Sequence, residues 1–534
     1  MKIQTPYSLL NLIIVVTFLL VLNTGQYLSL NTNNTDIDFL HCLIRNSDDP
    51  DSISRVIYSP NNSSYISVLQ FTLNNLRFTS PTTPKPRFIV TPVHESQIQT
   101  LVYCSKKHGF EIRTRSGGHD FEGLSYVSQL PFVILDLKNL KSVTVDIQTA
   151  TAWVQAGATL GELYYEIAQK SRNLGFPGGV CYALGLGGHV SGGGYGTMRR
   201  KYGLAADNVI DAQFINVHGK ILDRKSMGED LFWAIRGGGG SSFGIILSWK
   251  IKLVPVPETV TIFALDRTLE QNLTKIIHKW QYVAHKIDKD LDIRVLMFSV
   301  VNPSTGNRTI RATFDTLFLG GIDRLLALMQ VEFPELGLTR EDCTEMSWIE
   351  AVVIGSGFTN GEPLEILLNR SALPKNSFKG KSDFATIPIS EDGFEGIWRF
   401  YNDQIEAGMA LLVLTPYGGK MDEISGSAIP FPHRLGTLYM IEYVVGWDGN
   451  ETSPRISWIR SLYNYMTSYV SNSPRRAYLN YIDLDLGIGK NYVEAKDTWG
   501  SSYFKNNFNR LVKVKTMVDP SNFFKHEQSI PRWF

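Results

Sequence analysis

The chain has 534 residues, 43% of them hydrophobic, and its 52 lysines and arginines balance 51 acids to a formal charge of +1. That length exceeds one ordinary core, so more than one domain is expected. The near-neutral balance argues against a nucleic-acid binder, and neither a nucleic-acid partner nor a metal is expected.

Lys2, the apolar run Leu9 to Leu22 and the small or polar Asn23 to Gly25 read as a signal peptide over residues 1–25. The run is shorter than the ~20 apolar residues of a membrane span. Secretion gives the four cysteines a context. Cys42 and Cys104 are free to pair in an oxidising lumen, Cys343 sits apart as a buried thiol, and Cys181 lies where a disulfide fits badly. Sequons at Asn33, Asn61, Asn62, Asn272, Asn307, Asn369 and Asn450 predict a glycoprotein of the secretory pathway, destined for apoplast, cell wall or vacuole.

Spacing predicts a helix over Ser63 to Leu76, broken by Pro81, Pro84 and Pro86. A strand (Phe88 to Val90), a helix (Glu95 to His108) and a strand (Phe110 to Thr114) then form a βαβ beginning. Strands follow at Val133 to Leu137, Val143 to Ile147 and Thr151 to Ala156, and Thr159-x-x-Glu162 opens a helix with a capping box. Val209 to Val217 and Lys220 to Leu222 read as a hairpin through His218-Gly219, Ser226-x-x-Glu229 as a helix cap, and Ile245 to Val254 as a strand ended by Pro255 and Pro257. Beyond these prolines an amphipathic helix spans Leu269 to Ile287, with strands at Ile293 to Val301, Thr309 to Leu319, Met409 to Leu414 and Thr437 to Gly446. A helix from Ile456 to Val470, a strand-like Tyr478 to Leu486 and a helix near Tyr503 to Thr516 complete the chain.

Three glycine-dense stretches punctuate the first half: Arg115-Ser116-Gly117-Gly118-His119, Phe176 to Gly196, and Arg236 to Gly244. Bare backbone in several loops suits close approach to a large anionic cofactor, with amides cradling a pyrophosphate. None satisfies G-x-G-x-x-G, since Gly185-x-Gly187 reaches Val190, Gly192-x-Gly194 reaches Thr197 and Gly237-x-Gly239 reaches Ser242, which argues against a standard Rossmann site. His119 and Cys181 stand inside the loops, and an imidazole and a thiolate are the nucleophiles able to bond a flavin ring. Zinc would require four closely spaced ligands, which are missing.

These motifs, with Tyr202-Gly-Leu-Ala-Ala-Asp-Asn208, Asp230-Leu-Phe-Trp-Ala-Ile-Arg-Gly-Gly-Gly-Gly240, Pro430-Phe-Pro-His-Arg434 and Asp519-Pro-Ser-Asn-Phe-Phe524, resemble the plant berberine bridge enzyme-like family of reticuline oxidase and the cannabinoid synthases. The resemblance runs from the early cysteine to the C-terminus. It implies an α+β fold: a two-part FAD-binding domain of vanillyl-alcohol-oxidase (PCMH) type with an inserted substrate domain of antiparallel sheet and helices. The parts expected are 26–257 (FAD), 258–474 (substrate) and 475–534 (completing the FAD domain). It further implies a Cys42–Cys104 disulfide and FAD held bicovalently, by His119 at the 8α-methyl and Cys181 at C6.

The expected cofactor-binding set is His119, Cys181, Arg115, Ser116, Gly117, Gly118, Leu184, Gly187, Gly188, His189, Gly192, Gly193, Gly194, Tyr195 and Asn480. His189 is read as structural rather than catalytic. The implied activity is hydride abstraction from a small lipophilic molecule, with oxygen or another acceptor reoxidising the flavin and a monomer doing the work. Ring closure or diene formation is one outcome; flavin-retaining cycloaddition without net redox change is the alternative. A non-catalytic glycoprotein that retains the fold is a third reading. Glu442, on a strand with apolar faces, is the first candidate base, matching the glutamate of reticuline oxidase. Tyr481 matches the proton-abstracting tyrosine of the cannabinoid synthases, and Tyr195 and Tyr417 match other active-site tyrosines. Phe121 stands where many members have tyrosine, and Met440 where subsets carry lysine or glutamate. Both favour a prenylated phenol or an alkaloid over a free sugar. Leu184 stands where valine accompanies ready use of oxygen, which favours sluggish oxygen use. Cys181-Tyr182-Ala183 departs from the family's Cys-Pro-Thr.

Overall fold

The computed structural model describes residues 34–404, 410–449, 452–489 and 491–534. The signal segment, Asn33, Asn450 and Met409 lie outside the described residues. No described helix is long and apolar enough to cross a membrane.

The βαβ beginning is present. Strands Phe88–Val90 and Glu111–Arg115 both run parallel to Phe132–Asp136, which lies between them in a four-stranded sheet. The helix between them spans Glu95–His108 and stops at Gly109 with φ 74°, the left-handed conformation that glycine adopts without a Cβ penalty. Cys104 on this helix is bonded to Cys42 on helix Asn34–Arg45. Cys343, expected buried, is only half-buried.

A second sheet of five antiparallel strands carries Thr151–Gln155 and Ile245–Lys252 at its centre. The hairpin forms as read, with Phe214 opposite Leu222 and Gly219 at φ 72°. The cap at Ser226 shifts: Asp223 is the N-cap of helix Arg224–Ile235, and Ser226 supplies the reciprocal bond.

Chain 260–447 builds one seven-stranded antiparallel sheet, in the order Thr344–Met346, Val260–Thr268, Arg308–Phe318, Leu291–Val301, Ala410–Pro416, Tyr439–Trp447, Ser377–Ala385. One face packs helices: Val295, Phe314, Leu412, Ile441 and Tyr443 lie in a core with Ile277, Trp280, Trp398 and Trp458. The opposite face, with Met440 and Phe384, joins the larger core of the N-terminal half and C-terminal tail. Side chains alternate along a strand, so Glu442 shares the face of Met440.

Several elements differ from expectation. Strand Val260–Thr268 precedes a shorter helix, Leu273–Val283. The helix expected over Ser63 to Leu76 forms only over Tyr65–Phe71, and the last helix breaks at Lys505 (φ 49°) into Ser501–Phe504 and Asn507–Val518. Tyr478–Leu486 is not a strand but two tight turns, Leu479–Tyr481 and Leu484–Leu486. Strand Ser377–Ala385 and helices Ile322–Glu332, Trp348–Gly355 and Glu391–Gln404 were not foreseen.

Candidate active site

The first two glycine loops cross backbone to backbone. A Cβ on Gly117 would lie 2.4 Å from the Gly185 nitrogen, and one on Gly185 would lie 2.2 Å from the Gly117 nitrogen. Ser116 Oγ donates to the Ala156 carbonyl at 2.5 Å, and the Gly187 amide donates to the same oxygen at 3.1 Å, so both loops are tied to one strand end. Gly118 (φ 69°) passes so close to Thr72 that a Cβ would sit 1.7 Å from its carbonyl oxygen. The crossing brings His119 and Cys181 to one cavity of about 490 Å³.

Ser116, Gly117, Gly118, Leu184, Gly187, Gly188, His189, Gly192, Tyr195 and Asn480 line this cavity with them, and so do Glu442 and Tyr481. Four expected residues do not. Arg115 is fully buried and spends its guanidinium on Asp136 (2.7 Å) and on the Val68 and Leu69 carbonyls. Gly193 and Gly194 serve a left-handed turn (φ 118° and 71°), and the Gly194 amide donates to Tyr478 Oη. Tyr417 is buried edge-on to Phe384, away from the lining.

The residues present fit a flavin dinucleotide. His119 Nε2 is buried without a hydrogen-bond partner. Burial pushes the imidazole down to about 4, against a backbone hydrogen bond to Ala183, so the ring is neutral with one free nitrogen. Burial also raises the Cys181 thiol, against the amides of Ala183 and Leu184. A Cβ on Gly188 would meet nothing within 4 Å; this glycine leaves room on the cavity side instead of admitting a neighbouring residue. His189 is structural: Nε2 accepts the Gly179 amide at 3.0 Å, and its carbonyl accepts Asn480 Nδ2 at 2.9 Å. Asn480 in turn fills the space over Gly192, where a Cβ would lie 1.9 Å from Oδ1.

Across the cavity, Leu296, Val413 and Glu442 stand in one row over three paired strands. Burial raises the Glu442 carboxyl to about 7, opposed by a hydrogen bond with Tyr481 and by the Arg294 charge. Tyr481 Oη and Tyr195 Oη are hydrogen-bonded to each other. Burial and the nearby Glu442 charge hold both phenols above their ordinary range. Phe121 stacks on Tyr481 with centroids 5.0 Å apart and planes 16° from parallel.

Arg294 was missed from the sequence. It lines the cavity two residues from Leu296 on the same strand face and pairs with Asp315. Burial opposes its charge, but Asp315 and Asp292 outweigh that and hold it cationic. An arginine at alternate spacing in a largely apolar strand was the available signal. His526 and Gln528, from the tail, also line the cavity.

A family model described as FAD binding domain matches residues 86–224, and one described as Berberine and berberine like matches 477–531. Tetrahydroberberine oxidase of Berberis wilsoniae is 54% identical over 502 residues, covering 92% of this chain and 93% of that protein. The solved structure of BBE-like #28 from Arabidopsis thaliana is 49% identical with a TM-score of 0.86, covering 93% of this chain and 99% of that one. Phl p 4, a grass pollen allergen with glucose dehydrogenase activity, is 43% identical with a TM-score of 0.86, covering 92% and 99%.

Proposed function

Since the chain belongs to the berberine bridge enzyme-like family of FAD-dependent oxidoreductases, we propose that it oxidises a lipophilic phenol, prenylated phenol or alkaloid, with Glu442 as the base. The observation that carries this reading is a carboxyl raised to about 7 and linked to Tyr481, on the cavity that also holds His119 and Cys181.

FAD, when bound, supplies a hydride acceptor at N5 of its ring. His119 and Cys181 are the residues that would tether it, and the glycine loops of 26–257 with the tail 475–534 would hold the rest. The segment 258–474 presents the substrate wall. Leu296, Leu411 and Val413 make that wall apolar, and Phe121 joins them from the FAD part, excluding water and favouring a flat hydrophobic molecule. The relative named tetrahydroberberine oxidase supports an alkaloid. Glu442, ionised, accepts the proton that the substrate releases as its hydride departs; a base with a pKa near the working pH combines availability with driving force. Tyr481 donates to that carboxylate, and Tyr195 donates to the Tyr481 oxygen, so the three hold the proton's path in one orientation. The Arg294 charge favours the ionised form of Glu442, the form that accepts the proton.

The predicted signal segment, the Cys42–Cys104 bond and the exposed sequons Asn61, Asn62, Asn272, Asn307 and Asn369 support a secreted glycoprotein. The test is anaerobic mixing of the purified yellow protein with alkaloid, phenolic and sugar panels. Bleaching by an alkaloid or phenol and a product lighter by two hydrogens support the reading. A product equal to the sum of two substrates, with no bleaching, supports the cycloaddition alternative.

A further inference from the structure

Buried charges that the proposed chemistry leaves unused gather at the free edge of the seven-stranded sheet, on strand Ser377–Ala385. Lys379 and Lys381 are 2% and 1% exposed. Lys379 Nζ bonds Glu122 and, at 2.7 Å, Asp483; Lys381 Nζ lies 2.6 Å from Asp483 and 2.8 Å from Asp485. Glu122 also takes Arg77 at 2.5 Å and the Leu484 amide at 3.3 Å.

Such a cluster is a poor source of stability, because desolvating each charge costs about as much as pairing returns, and apolar replacements of similar volume are often neutral. What it can fix is geometry. Glu122 directly follows Phe121, and Asp483 lies two residues after Tyr481. Phe121 and Tyr481 are the stacked pair in the cavity. One ammonium therefore joins the segments that carry the two rings, from a strand 257 residues beyond Glu122 and 104 before Asp483. The same strand seats the Phe121 ring: a Cβ on Gly380 would lie 2.4 Å from it, and Phe378 meets it edge-on at 5.2 Å.

We infer that Lys379 is a positioning residue that holds Tyr481 against Phe121 and thereby aims the Tyr481 hydroxyl at Glu442 and Tyr195. The kinetic part of this inference rests on the role given to Tyr481 above; the placement of the ring does not.

Two readouts test it on the holoenzyme. Fluorotyrosine at position 481, followed by fluorine NMR, should give one resonance in the parent, a displaced or split one in Lys379→Met, and one near the parent in Lys379→Arg. In a double-mutant cycle, Lys379→Met should slow anaerobic flavin reduction about tenfold when Tyr481 is present and less than twofold in a Tyr481→Phe background. If Lys379→Met does not fold, Asp483→Asn, which keeps shape and removes one carboxylate charge, takes its place in both experiments. An unmoved fluorine resonance, or equal slowing in both backgrounds, overturns the inference. If Tyr481→Phe alone reduces at the parental rate, the function assigned to Tyr481 fails, while the fluorine resonance still decides the placement.

Discussion

Gly117 and Gly185 pass each other with no room for a side chain on either, a Cβ on one falling 2.4 Å and on the other 2.2 Å from the opposing amide nitrogen. This crossing sets His119 and Cys181 on one cavity although 62 residues separate them in sequence. Gly185→Ala should therefore cost about 1–3 kcal/mol by overpacking and lower the flavin content of the purified protein. The ratio of visible to ultraviolet absorbance and a denaturant melt measure both; parental values for each would show that the loops tolerate separation.

The neutral His119 ring with its unpartnered Nε2 and the cavity-facing Cys181 predict two independent tethers. His119→Ala and Cys181→Ala should each retain flavin in the acid-precipitated pellet, and the double variant should release it to the supernatant. Release from either single variant would leave one attachment.

Because burial raises the Glu442 carboxyl to about 7, the base is protonated and idle below that pH and ionised above it. The rate of flavin reduction should climb through about pH 7 and level off at higher pH. Glu442→Gln should lower the plateau about a hundredfold or more and abolish this limb. A limb that persists in the glutamine variant would assign it to another group.

The Cys42–Cys104 bond closes a loop with a sequence separation of 62 residues. Replacing both cysteines by serine should destabilise the fold by about 2–5 kcal/mol while leaving reduction kinetics at low temperature near the parental values. Equilibrium unfolding of the two forms decides this.

Local signals carried much of the fold and part of the site. The helix Glu95–His108 has apolar spacing and a glycine stop, and it forms over the residues read. The glycine loops were legible because glycine is required where backbone crosses backbone, as at Gly117 and Gly185. Tyr478–Leu486 misled because its apolar residues alternate with period two, whereas Asn480 must reach Gly192 and the Asp483 side chain must accept the Asp485 amide, and both require turns. Strand Ser377–Ala385 was invisible because Lys379, Gly380 and Lys381 interrupt its apolar pattern, and their partners lie in distant segments. Arg115 was placed in the cofactor-binding set by its motif; its fixed partner, Asp136, becomes adjacent only when the two parallel strands pair.

Mixed without oxygen with its alkaloid or phenolic substrate, the purified enzyme should lose its visible flavin absorbance in a single turnover and release a product lighter by two hydrogens. The Glu442→Gln variant, with the same flavin content, should bleach about a hundredfold more slowly or not at all. Equal bleaching rates for the two proteins would contradict the claim that this buried carboxylate is the base.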